Sequence, residues 1–244
     1  MPGVGILDFR AFFGKKLYAW YRPEVYAGLA DGATATSWLD ASDNARHCGV
    51  TGGAPVVKTK ATGNDLNGYP TVLFNGTTDR FGLVDATVPA DKPMVFLAVV
   101  KNTVADDALI HRIVDFDNTQ YGLMLDWTST NAFANTDPNS AKASPVLGDT
   151  TLWHVVSGYL RPAALLVASI ASCDGQRAYY TGGASVLTNS SLTIGASVSG
   201  TQFWTGSIVE VAVVMDDVSL YQLREAEASL ARKFNLTSQY KLNG

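Results

Sequence analysis

Apolar runs separated by short polar turns recur along the chain, and most of them have the length of a β-strand. The clearest, residues 93–101, is continuously apolar and rich in β-branched residues, as expected of a strand covered on both faces. Five further runs are predicted strands: 121–127, 152–160, 161–172, 191–196 and 207–215. No helical pattern alternates with them, so the spacing favours a β-sandwich over βαβ units.

One helix is predicted near the C-terminus. It begins at Ser219, where the Ser-Leu-Tyr-Gln sequence forms a capping box with Gln222. An apolar stripe at helical spacing follows, made of Leu223, Ala226, Leu230 and Phe234. We expect this stripe to be a packing face, on a helix that caps one end of the sandwich.

Three segments carry a resemblance to a known family: WLDASDNARH at 38–47, LNGYPTVLFNGTTDRF at 66–81, and residues 204–236 with their GSIVEV strand and closing helix. Their order and motifs resemble the laminin-G-like domain. The resemblance implies an all-β, concanavalin-A-like jelly-roll β-sandwich of two antiparallel sheets with one short C-terminal helix. It covers 17–236, and we expect a single sandwich domain over residues 17–244.

Residues 1–16 precede the opening strand of that domain and are predicted to form an N-terminal arm. The arm carries Phe9, Phe12 and Phe13 in a stretch too short to build a core of its own. These rings must therefore pack against the domain or against a partner. We expect them to dock on a neighbouring subunit, in a homo-oligomer or other symmetric assembly.

Composition narrows the classes of partner. The chain has 244 residues, 16% of them charged, and a net charge of -4, so it offers no basic field for nucleic acid. The N-terminus lacks the features of a signal peptide, and the longest apolar run, 163–171, is too short for membrane insertion. Cys48 and Cys173 are predicted to be reduced, partly buried thiols because cytosolic synthesis disfavours disulfides.

Catalytic patterns are missing from the sequence. Glycosidases with a concanavalin-A-like sandwich resemble one another in a Glu-x-Asp-x-x-Glu strand, and neither the Asp115-Phe116-Asp117 string nor Glu210 reproduces that pattern. We interpret Glu210 as a structural hydrogen-bond acceptor. The three histidines have no second ligand at metal-binding spacing. We therefore expect the protein not to be an enzyme.

No cofactor is predicted, and a bound calcium ion is kept as an alternative. Many laminin-G-like domains bind one calcium ion at a rim of the sandwich, and the resemblance places Asn75 and Asp79 in a turn where Asp is common. An asparagine at position 75 removes one negative charge from such a site.

Sugar binding needs aromatic faces beside amide or carboxylate groups, because pyranose rings stack on π surfaces and their hydroxyls need polar partners. Loop 126–140 contains this mixture, and further aromatic candidates lie downstream. The candidate carbohydrate-binding residues are Trp127, Asn131, Phe133, Asn135, Tyr179 and Trp204. For Trp127 and Trp204 a place in the core is the competing assignment.

The functional hypothesis follows from a signal-free acidic sandwich with an apolar arm. Genes resembling this domain are frequent in tailed bacteriophages. We expect a virion structural protein, assembled in the host cytoplasm as a capsid decoration, fibre or tail-associated subunit, with other virion subunits as partners and host surface glycan as a further ligand. The alternatives are a carbohydrate-binding adhesin outside a virion and, less favoured, a glycoside hydrolase.

Overall fold

The computed structural model describes residues 5–59, 66–83, 92–103, 110–116, 121–126, 132–136, 151–160, 169–180 and 191–240. They form two antiparallel sheets and a C-terminal helix, which confirms the predicted fold class. Among these residues, no helix is long and apolar enough to cross a membrane.

The described residues form a short N-terminal helix, then the β-strands, and then a longer C-terminal helix. The α-helices are α1 (Phe9–Phe13) and α2 (Leu220–Lys233), and two short 3-10 helices span Gly14–Lys16 and Pro23–Tyr26. The strands are β1 (Leu17–Tyr21), β2 (Ser37–Trp38), β3 (Cys48–Gly52), β4 (Val56–Lys58), β5 (Thr71–Asn75), β6 (Arg80–Leu83), β7 (Met94–Asn102), β8 (Ile110–Phe116), β9 (Tyr121–Asp126), β10 (Ala132–Thr136), β11 (Trp153–Leu160), β12 (Ser169–Cys173), β13 (Gln176–Tyr180), β14 (Leu192–Ile194) and β15 (Thr205–Met215).

The two sheets differ in what covers them. The first has the order β13-β12-β11-β7-β15-β5-β4, with β1 also paired to β15, and the second has the order β10-β9-β8-β14-β6-β3-β2. One hydrophobic core fills the space between the sheets, and a second lies between the outer face of the first sheet and α2. The central strands of the first sheet, β7, β11 and β15, are therefore buried on both faces.

Strand β7 shows why its sequence is apolar without alternation. Phe96 and Ala98 belong to the core between the sheets, whereas Val95 and Leu97 belong to the core under α2. Because side chains alternate across a strand, a strand at the centre of a three-layer structure needs apolar residues at both parities.

Helix α2 begins as predicted. The Ser219 hydroxyl accepts from the Gln222 amide at 3.1 Å, and the Gln222 side chain accepts from the Ser219 amide at 3.1 Å. The predicted stripe is buried, but it packs on the outer face of the first sheet rather than across one end of the sandwich. The expected position was wrong because strands β7, β11 and β15 present a second apolar face that the stripe covers.

Replacing Ser219 by alanine should lower the free energy of unfolding by about 1 kcal/mol, because it removes the oxygen that satisfies a helix-terminal amide. Chemical denaturation of the wild type and the variant measures the difference. Replacement of the exposed Tyr221 by alanine is the control and should change stability by less than about 0.5 kcal/mol. Equal losses in the two variants would contradict a capping role for Ser219.

The N-terminal arm packs on its own domain. Phe9 and Phe13 are buried in the core under α2, and the Phe9 ring lies 5.2 Å from the Trp20 ring. The Leu7 amide donates to the Ser229 hydroxyl at 2.7 Å. The expectation that these rings bury their area against a neighbouring subunit is corrected, because the first sheet and α2 supply that area. Phe12 is only partly buried beside them.

Candidate functional site

The loop between β2 and β3 is organised by one carboxylate, Asp40. Its Oδ1 accepts from the amides of Trp20 and Ser42 at 2.7 and 2.8 Å. Its Oδ2 accepts from the Ser42 hydroxyl at 2.7 Å and from the Arg46 amide at 2.8 Å. A short carboxylate side chain can satisfy several turn amides at once, which is the physical reason for Asp and Ser in the Trp-x-Asp-x-Ser-x-Asn motif.

The same motif fastens the loop to the start of β1. The Asn44 Nδ2 atom donates to the carbonyl oxygens of Leu17 and Tyr18 at 2.8 and 3.0 Å. The Arg46 guanidinium lies 4.0 Å from the centre of the Tyr18 ring and donates to the Tyr18 carbonyl at 3.2 Å. Burial raises the pKa of Tyr18, although the charge of Arg46 opposes that shift. Asn44 and Arg46 are thereby held at one end of the sandwich.

A pocket of about 300 Å³ opens at this end. We name it the end pocket. It forms where the start of β1, the start of β7 and the end of β15 meet, since Leu17 pairs with Val214 and Met94 with Met215. Its lining residues are Lys15, Lys16, Leu17, Tyr18, Asn44, Arg46, Lys92, Met215 and Asp216.

Positive charge dominates the end pocket of an otherwise acidic protein. Four of its lining side chains are cationic and only Asp216 is a carboxylate. Lys92 lies 3.1 Å from Asp216, whose pKa is lowered by the Asp217 amide and by the Lys92 ammonium. Among the described residues, Lys15 and Arg46 form no ion pair with a carboxylate. The pocket therefore has cationic groups to offer an anionic ligand.

A smaller cavity of about 170 Å³ lies between the arm, β1 and α2, and we name it the arm cavity. Glu210 of β15 lines it and is itself almost fully buried. Its Oε1 accepts from Trp20 Nε1 at 2.7 Å, and its Oε2 binds Lys233 Nζ at 2.5 Å. Burial raises the pKa of Glu210, and the Lys233 ammonium only partly opposes the shift.

A second carboxylate binds the same ammonium group. Glu24 Oε1 lies 3.0 Å from Lys233 Nζ and 2.5 Å from Arg22 Nη2. Burial acts to raise the pKa of Glu24, but the hydrogen bond from Arg22 and the charge of Lys233 bring it below its usual value. The pKa values of Glu24 and Glu210 are thus shifted in opposite directions. Opposite shifts in two neighbouring carboxyls are the pattern from which acid and base roles are assigned in catalytic pairs.

The loop proposed from the sequence as a sugar site falls largely outside the described structure. Trp127 and Asn131 lie outside the described residues. Phe133 and Asn135 lie on β10, where their backbones pair with Leu125 and Leu123 of β9. The sugar site stays a prediction for these four residues.

The two other aromatic candidates lie in different environments. Tyr179 lies on the edge strand β13 with its side chain 55% exposed, so its ring is accessible. Trp204 is fully buried in the core between the sheets, with its ring 6.5 Å from that of His111. Trp204 is therefore a core residue in this structure, and its selection as a sugar-stacking residue is corrected.

Asn75 and Asp79 hold a turn through hydrogen bonds to backbone amides. Asp79 accepts from the Ala54 amide through Oδ1 and from the Asn75 amide through Oδ2, at 2.8 and 2.9 Å. Asn75 Oδ1 accepts from the amides of Thr77, Thr78 and Asp79. The oxygens considered as calcium ligands thus have a structural role in the turn, which explains why both residues occur there.

The end pocket was missed by sequence reasoning because no single segment contains it. Its cations come from residues 15–16, 46 and 92, which are brought together by the register of β1, β7 and β15 and by the fastening of the β2–β3 loop to β1. One signal was available: the Trp-x-Asp-x-Ser-x-Asn motif ends two residues before Arg46 and so fixes where that side chain lies.

Solved structures with a similar fold are proteins that act on carbohydrates. Domain 4 of AbnA, a GH43 extracellular arabinanase from Geobacillus stearothermophilus in complex with arabinotriose, matches with a TM-score of 0.57 at 14% identity, over 93% of this chain and 98% of that one. The Trypanosoma rangeli sialidase in complex with sialic acid matches with a TM-score of 0.58 at 12% identity, over 94% of this chain. The chain thus shares its fold with the whole AbnA domain and with about a third of the sialidase.

A GH54 α-L-arabinofuranosidase also matches, with a TM-score of 0.58 at 11% identity, over 92% of this chain and 60% of that one. The chain spans about a third of the sialidase, 34% of its length. No protein-family profile matches the sequence, and no curated protein matches it. At such low identities these likenesses establish the fold alone.

The comparisons correct the functional hypothesis drawn from the sequence. The expectation of a non-enzymatic virion subunit is contradicted by these three similar structures, which are glycoside hydrolases or a domain of one. The glycoside hydrolase alternative, which the sequence disfavoured for lack of a Glu-x-Asp-x-x-Glu strand, is the activity named for those similar proteins, and the shared fold does not by itself assign it to this chain.

Proposed function

We propose that this protein is a carbohydrate-binding β-sandwich of the glycoside hydrolase type, and that its end pocket holds an anionic sugar residue. One structural observation carries the assignment to this pocket: Lys15 and Arg46 line a recess large enough for a small ligand, with no carboxylate partner among the described residues. The fold is also that of an arabinanase domain whose structure contains arabinotriose.

The chemistry of the pocket suits a sugar carboxylate. A guanidinium binds a carboxylate through two parallel N–H donors, and an ammonium adds a further charge. Arg46 is held in place by its stacking on Tyr18, so less side-chain entropy is lost when the ligand binds. Arabinotriose is neutral and sialic acid is anionic, and the cationic lining favours a ligand of the second kind.

Binding of sialyllactose, oligogalacturonate and arabinotriose, measured by calorimetry, tests this proposal. The two anionic sugars should bind, and their affinity should fall with added salt because the charges are close to solvent. Arg46→Ala should weaken binding by on the order of tenfold or more, since it removes charge-assisted hydrogen bonds. Lys58→Ala is the matched control, because Lys58 is paired with Asp31 and lies outside the pocket.

Three results would count against the end pocket. They are equal affinities of Arg46→Ala and the wild type, tighter binding of arabinotriose than of either anionic sugar, and no binding of any sugar. Because Arg46 also contacts Tyr18, the melting temperature of the variant is measured alongside. If Arg46→Ala loses binding but keeps the melting temperature of the wild type, Arg46 contacts the ligand. If binding returns in a folded Arg46→Lys variant, the positive charge at position 46 is what the ligand needs.

A second candidate function is glycoside hydrolysis by two carboxyls: Glu210, which lines the arm cavity, and Glu24, which shares Lys233 as its partner. The pKa values of Glu210 and Glu24 are shifted in opposite directions, which is the pattern that separates the acid from the base in a pair of catalytic carboxyls. Both carboxylates bind Lys233 Nζ, so they are closer than the roughly 6.5 to 9.5 Å typical of inverting enzymes. A hydrolase built on this pair would retain the anomeric configuration.

Release of reducing sugar from a polysaccharide panel tests the second candidate. The wild type should release sugar, and Glu24→Gln should abolish release while keeping the shape of the side chain. Asp31→Asn is the control, because Asp31 is a carboxylate of similar exposure that pairs with Lys58 instead of Lys233. Activity that survives Glu24→Gln, or no release by the wild type from any polysaccharide, would contradict this candidate.

A further inference from the structure

Three metal-ligating side chains meet where β11 passes the turn between β12 and β13. His154 lies near the start of β11, Cys173 is the last residue of β12, and Asp174 is the first residue of the turn. One ligand atom from each side chain lies within 4.8 Å of the other two. The sequence treats His154 as isolated, because its partners are 19 and 20 positions away and reach it only through strand pairing.

Backbone geometry fixes two of the three ligands. Val156 pairs with Cys173, and His154 lies two residues before Val156 in β11, so both side chains are on the same face of the strand. Asp174 and Gly175 have φ values of 47° and 80°, as in the two-residue hairpin turn that Asp-Gly sequences favour. The turn places the Asp174 carboxylate beside the imidazole.

Hydrogen bonds then orient the Asp174 carboxylate. Its Oδ1 accepts from the Val155 amide at 2.9 Å, and its own amide donates to the Val155 carbonyl at 2.9 Å. Its Oδ2 lies 2.6 Å from Nδ1 of His154. A carboxylate that is held by a backbone amide and turned toward an imidazole is the arrangement of a preorganised ligand.

The three side chains of this cluster are buried. Cys173 is fully buried in the core between the sheets, while His154 and Asp174 are 5% and 8% exposed. A buried carboxylate is costly unless an opposite charge accompanies it, and a divalent cation supplies that charge. Nitrogen, sulfur and oxygen donors together fit a borderline-soft ion of the zinc class rather than calcium or magnesium, which prefer oxygen donors alone.

We propose that His154, Cys173 and Asp174 form a binding site for a zinc-class divalent cation. Binding releases the Cys173 thiol proton to solvent, and the thiolate and carboxylate neutralise the ion. The imidazole binds as the neutral form and keeps one proton on the ring nitrogen that does not face the metal. The direct contact between His154 and Asp174 opens so that both contact the ion. The three side chains supply three positions of a tetrahedral ion.

Cobalt titration of the purified full chain tests the site directly. The wild type should bind one cobalt ion with a thiolate-to-cobalt charge-transfer band in the near ultraviolet, and zinc should displace it. Cys173→Ser should lose the band. Cys48→Ser is the matched control, because Cys48 is the second buried cysteine and its sulfur contacts the Tyr21 hydroxyl instead of an imidazole.

A second variant, in the turn, tests the site without changing the buried Cys173 side chain in the core. Asp174→Asn preserves a side chain that tolerates positive φ and should lower zinc affinity by on the order of tenfold or more. Zinc should raise the melting temperature of the wild type and of Cys48→Ser, and should leave that of Cys173→Ser unchanged. Absence of the cobalt band in the wild type, or equal zinc affinities of the wild type, Cys173→Ser and Asp174→Asn, would overturn the proposal.

Discussion

Replacing Lys233 by methionine should lower the free energy of unfolding by about 3 to 5 kcal/mol, because it leaves Glu210 buried without its counter-ion. Both side chains are at most 4% exposed, and the two charged atoms are 2.5 Å apart. Lys233 also contacts Glu24, so two carboxylates lose one partner. Denaturant unfolding monitored by tryptophan fluorescence measures the change.

Lys58→Met is the matched control for this experiment. Lys58 pairs with Asp31 at 3.7 Å with both side chains about one-third exposed, and such pairs contribute about 1 kcal/mol or less. Adding Glu210→Gln to Lys233→Met should recover part of the loss, since the unpaired charge is removed. A loss in Lys233→Met no larger than that in Lys58→Met would contradict a buried ion pair beneath α2.

Phe9→Ala should cost about 3 to 5 kcal/mol of stability, the range for removing a buried aromatic ring from a packed core. The ring is 1% exposed, lies 5.4 Å from the Phe13 ring, and packs on Trp20. The melting temperature should therefore fall without any dependence on protein concentration.

Ile6→Ala is the control on the same arm, because Ile6 is 57% exposed and should lose less than about 0.5 kcal/mol. Unchanged melting of Phe9→Ala combined with loss of an oligomer in sedimentation would restore the first expectation, that the arm docks on a partner. The two outcomes are distinguished in a single pair of measurements.

Periodicity and local motifs predicted the parts of the fold that local chemistry determines. The buried run at 93–101 became β7, and the Ser219 capping box begins α2 as expected. The docking of α2 and of Phe9 was not predictable, because an apolar face indicates that it must be covered but does not indicate which surface covers it. Here the outer face of the first sheet covers both.

Site residues were harder to predict than strands. The end pocket joins Lys15, Arg46 and Lys92, and the three-ligand cluster joins His154 to Cys173 and Asp174. Both depend on strand register, which a single sequence does not reveal at residue precision. Trp204 shows a different kind of error: a residue was assigned to a sugar site although it belongs to the core. An aromatic ring suits both places equally well, and the sequence does not distinguish them.

A crystal structure of the protein soaked with an anionic oligosaccharide would show whether the end pocket binds sugar. We expect density for the sugar carboxylate in the end pocket, within hydrogen-bonding distance of the Arg46 guanidinium and beside Lys15, and no such density in Arg46→Ala. Sugar bound elsewhere on the sandwich, with the end pocket holding only water at a concentration that saturates the protein in solution, would contradict this expectation.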